Sequence, residues 1–357
     1  VSVRRVLLSL GWLLFVFLLL EGAGFVFYKL EVSKPISGYG YPSGLLVGHP
    51  DLGFAYRPGF TGYFKGSAYQ HIPIEINAQG FRDGDFGEDG GDEIRIAVLG
   101  DSVVFGPGVA AEDRFTECLA NSQRGREEGW RIMNLGVNSY SLGHYLELAR
   151  IDFLDARPDA VLVGITLNDF APMDSAGPYR RIRRHAEQLH KPDWLARIQE
   201  RIGRTYAVRF LEELETRLSY ALMNQDERED YHTKWMRSVV AAWAEKENRE
   251  RFTSQLQELH RLLEDAGIPY GFLLFPELNE LKNPDEFGSA RFVVKGVMER
   301  QGLDYCDPYA AFAAEDDLET LFLQRDSVHY SPRGQERLCR ALQRCLDRGL
   351  LSMAATP

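Results

Sequence analysis

From residue 94 onward the chain alternates between two hydrophobic patterns. Short, nearly unbroken apolar runs occur at "IRIAVLG" (94–100), "RIMNLG" (131–136), "DAVLVGI" (159–165) and "IPYGFLLF" (268–275), with a weaker one at "GLDYCD" (302–307). Longer stretches with apolar residues at helical spacing follow the first four, and after a gap the fifth is followed by the pattern around "RGQERLCRAL" (333–342). Runs too short for helices and lacking polar alternation read as strands buried on both faces. Strands of that kind that alternate with helices predict an α/β three-layer sandwich around a five-stranded parallel sheet. After the third strand the helical pattern gives way to a long polar excursion, roughly residues 171–248, with several amphipathic pieces.

Upstream of residue 94 the pattern changes twice. "IPIEI" (72–76) places Ile72, Ile74 and Ile76 in alternation, which predicts a half-exposed strand, and "NAQGFRDGD" (77–85) then reads as turn material. Residues 31–93 therefore predict a small β-rich extension. Ahead of it, Val6–Tyr28 is mostly apolar and follows Arg4 and Arg5. Roughly 20 apolar residues suffice to cross a bilayer core as a helix. Positive charge before such a span predicts a cytoplasmic start and an exported remainder. Glu21 interrupts the run toward its far end, where it can reach headgroups or a partner helix. A cleaved signal peptide with Val6–Leu20 as its apolar core is the alternative, but "EGAGF" is a poor cleavage site. The predicted organisation is thus a transmembrane anchor (1–30), the extension (31–93) and a main domain (94–350) carrying the insertion 171–248.

Composition narrows the chemistry. The 357 residues are 45% hydrophobic and 26% charged, with a formal charge of −11, so the basic footprint of a nucleic-acid binder is missing. Cys118, Cys306, Cys339 and Cys345 show no CxxC spacing. They read as buried small residues, with one disulfide allowed outside the cytoplasm and no pair selected by the sequence. The histidines other than His329 are scattered at 49, 71, 144, 185, 190, 232 and 260 without metal-ligand spacing, and no cofactor motif is present. Within the insertion, "YRRIRRH" (179–185) opens a basic segment continuing through Arg197, Arg201, Arg204 and Arg209. It reads as a solvated helical face or as a contact for anionic glycan or lipid headgroups.

Ligands of an open parallel sheet bind outside the carboxyl ends of its strands. Gly100-Asp101-Ser102 follows the first predicted strand, Asn134-Leu135-Gly136 ends the second, and Thr166-Leu167-Asn168-Asp169 follows the third. Asp326 and His329 lie between the fifth strand and the last helix. Together they supply the parts of nucleophilic acyl transfer: a serine hydroxyl, an imidazole base and a carboxylate three residues upstream to orient the imidazole. The backbone N–H groups of Ser102 and Gly136 and the amide of Asn168 are suitable oxyanion donors. Glycine at 136 would also let substrate approach the backbone closely.

These residues resemble the SGNH (GDSL-type) hydrolase superfamily. Ser102, Gly136, Asn168 and His329 match its four name-giving positions in order, and Asp326-Ser327-Val328-His329 matches its DxxH element. The third block lacks the usual glycine two residues before Asn168, and the first reads Gly-Asp-Ser-Val. The resemblance spans roughly residues 94–349 and implies a flavodoxin-like sandwich. Residues 1–93, with the "NAQGFR" lead-in, resemble the membrane-anchored extracytoplasmic branch, often linked to envelope glycans. What the resemblance implies is a serine esterase removing acyl groups, acetyl foremost, from cell-envelope carbohydrate, placed on the periplasmic side of the inner membrane beside envelope-polysaccharide assembly proteins. The same residues would serve an O-acyltransferase or a lipid or thioester esterase. A non-catalytic glycan-binding subunit has no need of Ser102, Asp326 and His329 together.

Overall fold

The structure, a computed structural model, describes residues 3–29, 44–66, 69–87, 93–151, 157–175, 205–207, 225–323 and 326–351, with isolated positions between 210 and 222. In chain order it begins with helix α1 (Val3–Lys29) and two antiparallel hairpins, β1 (Leu46–His49) with β2 (Gly53–Tyr56) and β3 (Thr61–Gly66) with β4 (Tyr69–Glu75). The main unit follows as β5 (Ile94–Gly100), α2 (Ser102–Phe105), α3 (Phe115–Ala120), α4 (Gln123–Glu127), β6 (Trp130–Gly136), α5 (Leu142–Ile151) and β7 (Ala160–Ile165). It continues through α6 (Gln225–Ala244), α7 (Lys246–Asp265), β8 (Tyr270–Leu274), α8 (Leu278–Lys282), α9 (Pro284–Arg300), β9 (Tyr305–Cys306), α10 (Tyr309–Ala313) and α11 (Pro332–Asp347).

Strands β5 to β9 form one parallel sheet in the order β6-β5-β7-β8-β9. Counted within the sheet this is 2-1-3-4-5, the flavodoxin-like arrangement, whose order reverses at the first strand. Alternate residues feed two separate cores, because successive strand side chains point to opposite faces. Ala97, Leu99, Leu135, Val161 and Phe272 pack with α5, α6 and α7 on one side. Ile96, Val98, Ile132, Leu162 and Leu273 pack with α3 and α11 on the other. Both faces are covered, which is why the runs show no polar alternation.

The hairpins do not stand apart from this body. Phe54, Tyr56 and Ile74 are buried in the same core as Leu99 and Tyr140. Tyr140 donates to the Phe54 carbonyl at 2.8 Å, and the Asn138 N–H donates to the Tyr56 hydroxyl at 2.9 Å. Within the predicted half-exposed strand, Ile74 and Ile76 are both buried.

One expectation needs revision. The cysteines form two disulfides, Cys118–Cys339 joining α3 to α11 and Cys306–Cys345 joining β9 to α11. Their sequence separations of 221 and 39 residues hide from spacing what the sheet brings together. Glu21 of α1 takes the partner-helix option, accepting a 2.7 Å hydrogen bond from the Ala207 N–H, while Phe25 meets the Tyr206 ring edge-on. The arginines from Arg180 to Arg204, and Arg209, lie outside the described residues.

Candidate active site

Strand β5 ends at Gly100, and Asp101 caps the short helix that follows by accepting from the Val103 N–H at 2.8 Å. Ser102 is therefore the first residue of α2, where opening N–H groups have no partner within the helix. Helix α2 ends at Gly106, whose φ of 70° is the left-handed conformation that glycine tolerates. Arg82, from the turn after β4, grips this end through 2.5 Å and 2.8 Å bonds to the carbonyls of Gly106 and Val109. Burial, reinforced by Arg114, pushes the Arg82 guanidinium down to about 9. The sequence offered "NAQGFR" as turn material and as a family lead-in, and neither reading assigns Arg82 this contact with the serine helix.

His329 arrives from across the sheet. Its carbonyl accepts from the Leu323 N–H at 2.9 Å, and Phe322 and Tyr330 form an isolated antiparallel bridge beside it. His329 Nε2 stands 2.7 Å from Ser102 Oγ, and Nδ1 stands 2.9 Å from Asp326 Oδ2. The other carboxylate oxygen of Asp326 accepts from the N–H groups of Val328 and His329 at 2.9 Å and 3.0 Å. Burial alone would raise the Asp326 carboxyl, but His329 and these hydrogen bonds outweigh it and hold the group well below the usual carboxylate range. The pair is buried, whereas Ser102 is partly exposed. A hydroxyl so placed can lose its proton to a neutral imidazole as it attacks.

The three expected oxyanion donors fare differently. Asn168 follows β7, at the crevice where the strand order reverses, and it lines a cavity of about 400 Å³ together with Ser139, Ser141, Phe170, Trp235 and Ser238. Its carbonyl oxygen is 2.9 Å from Thr166 Oγ1, which leaves the amide NH₂ as its other end. Gly136 departs from expectation. Its N–H donates to Asn134 Oδ1 at 3.0 Å in a buried position, so it is already engaged within the protein. Nor is glycine needed there to admit substrate: a Cβ at 136 would overlap the backbone of Val104 and Phe105. The close neighbour is helix α2 itself. Asn134 completes that contact by donating to the Val104 carbonyl at 2.7 Å.

Carboxyls hidden behind the serine form a second layer. Asp101 and Asp169 are both raised, first by burial and for Asp169 also by Asp101. Asp169 accepts from the Thr166 N–H at 2.8 Å and from the Tyr145 hydroxyl at 3.0 Å. Glu277, just past β8, is pushed up to about 8 by burial and by Glu280, against the pull of Arg291. His144 is driven down to about 3 by burial, and its Nδ1 accepts from the Ser141 N–H at 3.0 Å. Among the described residues no cluster of three or more His, Cys, Asp or Glu side chains could hold a metal ion.

Comparison with known proteins adds a family. A model described as the GDSL-like lipase/acylhydrolase family matches residues 98–337. No curated protein matches the chain. Among solved structures, a lipase/acylhydrolase from Enterococcus faecalis is 13% identical, with a TM-score of 0.41, covering 73% of this chain and 99% of its own. A catalytic mutant of an acetylxylan esterase from Geobacillus stearothermophilus is 17% identical, with a TM-score of 0.40, covering 71% of this chain and 93% of its own.

Proposed function

The chain belongs to the GDSL-like lipase/acylhydrolase family, and from that premise we propose that this carboxylic ester hydrolase removes acyl groups, acetyl foremost, from cell-envelope carbohydrate. The reading treats residues 1–30 as a membrane anchor, 31–93 as an extension and 94–350 as the hydrolase domain. The observation that carries the chemistry is the unbroken chain from Ser102 Oγ through His329 to Asp326, at 2.7 Å and 2.9 Å.

In this mechanism Ser102 Oγ attacks the ester carbonyl while its proton moves to His329 Nε2. The C–O bond to the sugar then breaks, and the sugar oxygen takes that proton from His329. Asp326, ionised and held by two backbone N–H groups, stabilises the transient imidazolium and fixes the ring with Nδ1–H toward itself. Water, deprotonated by His329, attacks the acyl-enzyme carbonyl, the bond from that carbon to Ser102 Oγ breaks, and Ser102 Oγ takes the proton back from His329 as the acid leaves. The oxyanion is met by the Ser102 N–H and the Asn168 amide. Loss of one such donor costs about 10² to 10³ in kcat.

The cavity beside Asn168 supports a carbohydrate leaving group. Its lining combines Ser139, Ser141 and Ser238 with Phe170 and Trp235, a polar and aromatic mixture suited to a sugar more than to a long acyl chain. The same space favours a second reading, in which a sugar hydroxyl replaces water and the protein is an O-acyltransferase. Helix α1, long and apolar enough from Arg4 to Val26 to cross a membrane, supports the anchor.

Labelling with a fluorophosphonate probe tests the nucleophile: wild-type protein is labelled and Ser102→Ala is not. Equal labelling of both overturns the assignment. Product analysis on an acetylated oligosaccharide then separates the readings. Free acetate regardless of acceptor supports the hydrolase, and acetate that appears on an added unacetylated acceptor supports the transferase.

A further inference from the structure

Thr166 stands where two hydrogen-bonding demands meet on one hydroxyl. Its Oγ1 lies 3.1 Å from Asp101 Oδ2 and 2.9 Å from Asn168 Oδ1, in a fully buried position directly after β7. A threonine hydroxyl owns one hydrogen. An amide carbonyl has none to give, and an ionised carboxylate has none either. If Asp101 were ionised, its oxygen would claim the only hydrogen, and Thr166 Oγ1 would face the Asn168 oxygen with nothing between them. Alternatively the amide would turn to offer its NH₂ to Thr166, so that its oxygen faced the cavity and repelled an oxyanion.

We infer that Thr166 is the positioning residue for Asn168: a proton on Asp101 is donated to Thr166, and Thr166 passes its own hydrogen to the Asn168 carbonyl. Every oxygen in the chain then has a hydrogen facing it. The direction of the chain fixes which end of the amide is held, so the NH₂ is the end left for the cavity that Asn168 lines. This rests on the proposed role of Asn168 as an oxyanion donor.

The surroundings of Asp101 agree with a protonated carboxyl. It is buried, and burial pushes it up against the pull of the Val103 N–H, His329 and Thr166. Its other oxygen already accepts from the Val103 N–H, so the proton falls to Oδ2, the oxygen facing Thr166. Asp169 lies beyond the same threonine and takes the Thr166 N–H, which pins the backbone while the hydroxyl pins the amide. One residue thus ties the loop to the carboxyl that caps the serine helix. It occupies the position at which the third sequence block departs from the family pattern.

The test is a double-mutant cycle in the full chain with a short-chain p-nitrophenyl ester. Thr166→Val removes the hydroxyl at nearly constant volume. It is expected to lower kcat by about tenfold or more while KM stays within about twofold, because a misaimed donor is missed mainly in the transition state. Thr166→Ser restores the hydroxyl and is expected to recover most of kcat, an outcome that a purely packing role for the side chain would not give. The double variant Thr166→Val/Asn168→Ala is expected to be no slower than Asn168→Ala alone, since Thr166 acts only through that amide. Where Thr166→Val does not fold, as judged by thermal unfolding, Thr166→Ala gives the same comparison. Wild-type kcat in the hydroxyl-less variants, multiplicative losses in the double variant, or no recovery with serine would each overturn the positioning role. Wild-type kcat in Asn168→Ala would instead remove the oxyanion reading, and this inference with it.

Discussion

Glu277 shows what a single side chain can impose on the pH dependence of the fold. Its carboxyl is 1% exposed and pushed up to about 8, whereas an unfolded chain would ionise it near 4.5. Between those values the folded protein holds a proton that the unfolded chain has lost, so stability falls as pH rises through the window and levels off above about 8. The limiting slope for one proton is about 1.4 kcal/mol per pH unit. Glu277→Gln keeps the shape without the charge. Urea unfolding at pH 5 and pH 8 is expected to show wild type losing stability between the two, and the variant losing less; parallel losses would refute the buried neutral carboxyl. For the catalytic pair, Ser102→Ala, His329→Ala and the double variant are expected to share one low residual rate on a p-nitrophenyl ester, because the two act as a unit. Multiplicative losses would contradict that. What the sequence made legible at this scale was chemistry of type and order: a serine after one strand, and a DxxH before the last helix. It could not make legible the hydrogens already spoken for. The Gly136 N–H is consumed by a side chain two residues earlier, and Thr166 matters only because Asp101, 65 residues away, reaches it.

The five apolar runs became the five strands of the sheet because burial on both faces leaves no polar alternation. The weakest run, around Tyr305, gave only a two-residue edge strand. The insertion was legible as an excursion of amphipathic pieces. Its described helix α6 reaches the site loop itself. Trp243 Nε1 donates to the Leu167 carbonyl at 2.6 Å, next to Asn168, and its ring meets Phe170 and Phe252 edge-on. Nothing in periodicity distinguishes a core tryptophan from one whose N–H clamps a loop. Trp243→Phe keeps an aromatic ring but leaves that buried carbonyl without its donor, a loss worth about 1–3 kcal/mol. The variant is expected to unfold at lower temperature and to lose kcat more than KM, since Asn168 is the adjacent residue. A lowered midpoint with unchanged kcat would confine α6 to a structural role.

At the scale of the whole molecule, the proposed extracytoplasmic placement draws on two unrelated lines of physics, the apolar helix and the disulfides. Helix α1 is long and apolar enough to cross a bilayer and follows two arginines, an arrangement that favours retention of its start in the cytoplasm. Disulfides persist where the surroundings oxidise, and both bonds converge on α11, the helix that follows His329. The Cys118–Cys339 bridge closes a loop containing every residue from the second strand of the sheet to the DxxH element, so its loss is expected to cost about 2–4 kcal/mol. Unfolding of Cys118→Ser/Cys339→Ser at the wild-type midpoint would count against that. If α1 is an anchor with its arginines inside, everything beyond about residue 30 is exported. A C-terminal alkaline phosphatase fusion is then active, because that enzyme matures only outside the cytoplasm, and a green fluorescent protein fusion exported through the same route stays dark. Alkylation of the native protein before reduction, read by mass, should leave all four cysteines unmodified. The opposite pair of fusion signals, together with four alkylated thiols, would place the hydrolase in the cytoplasm and deny it an envelope substrate. Active phosphatase with free thiols would keep the orientation and reject only the bridges, so the two lines of reasoning can fail separately.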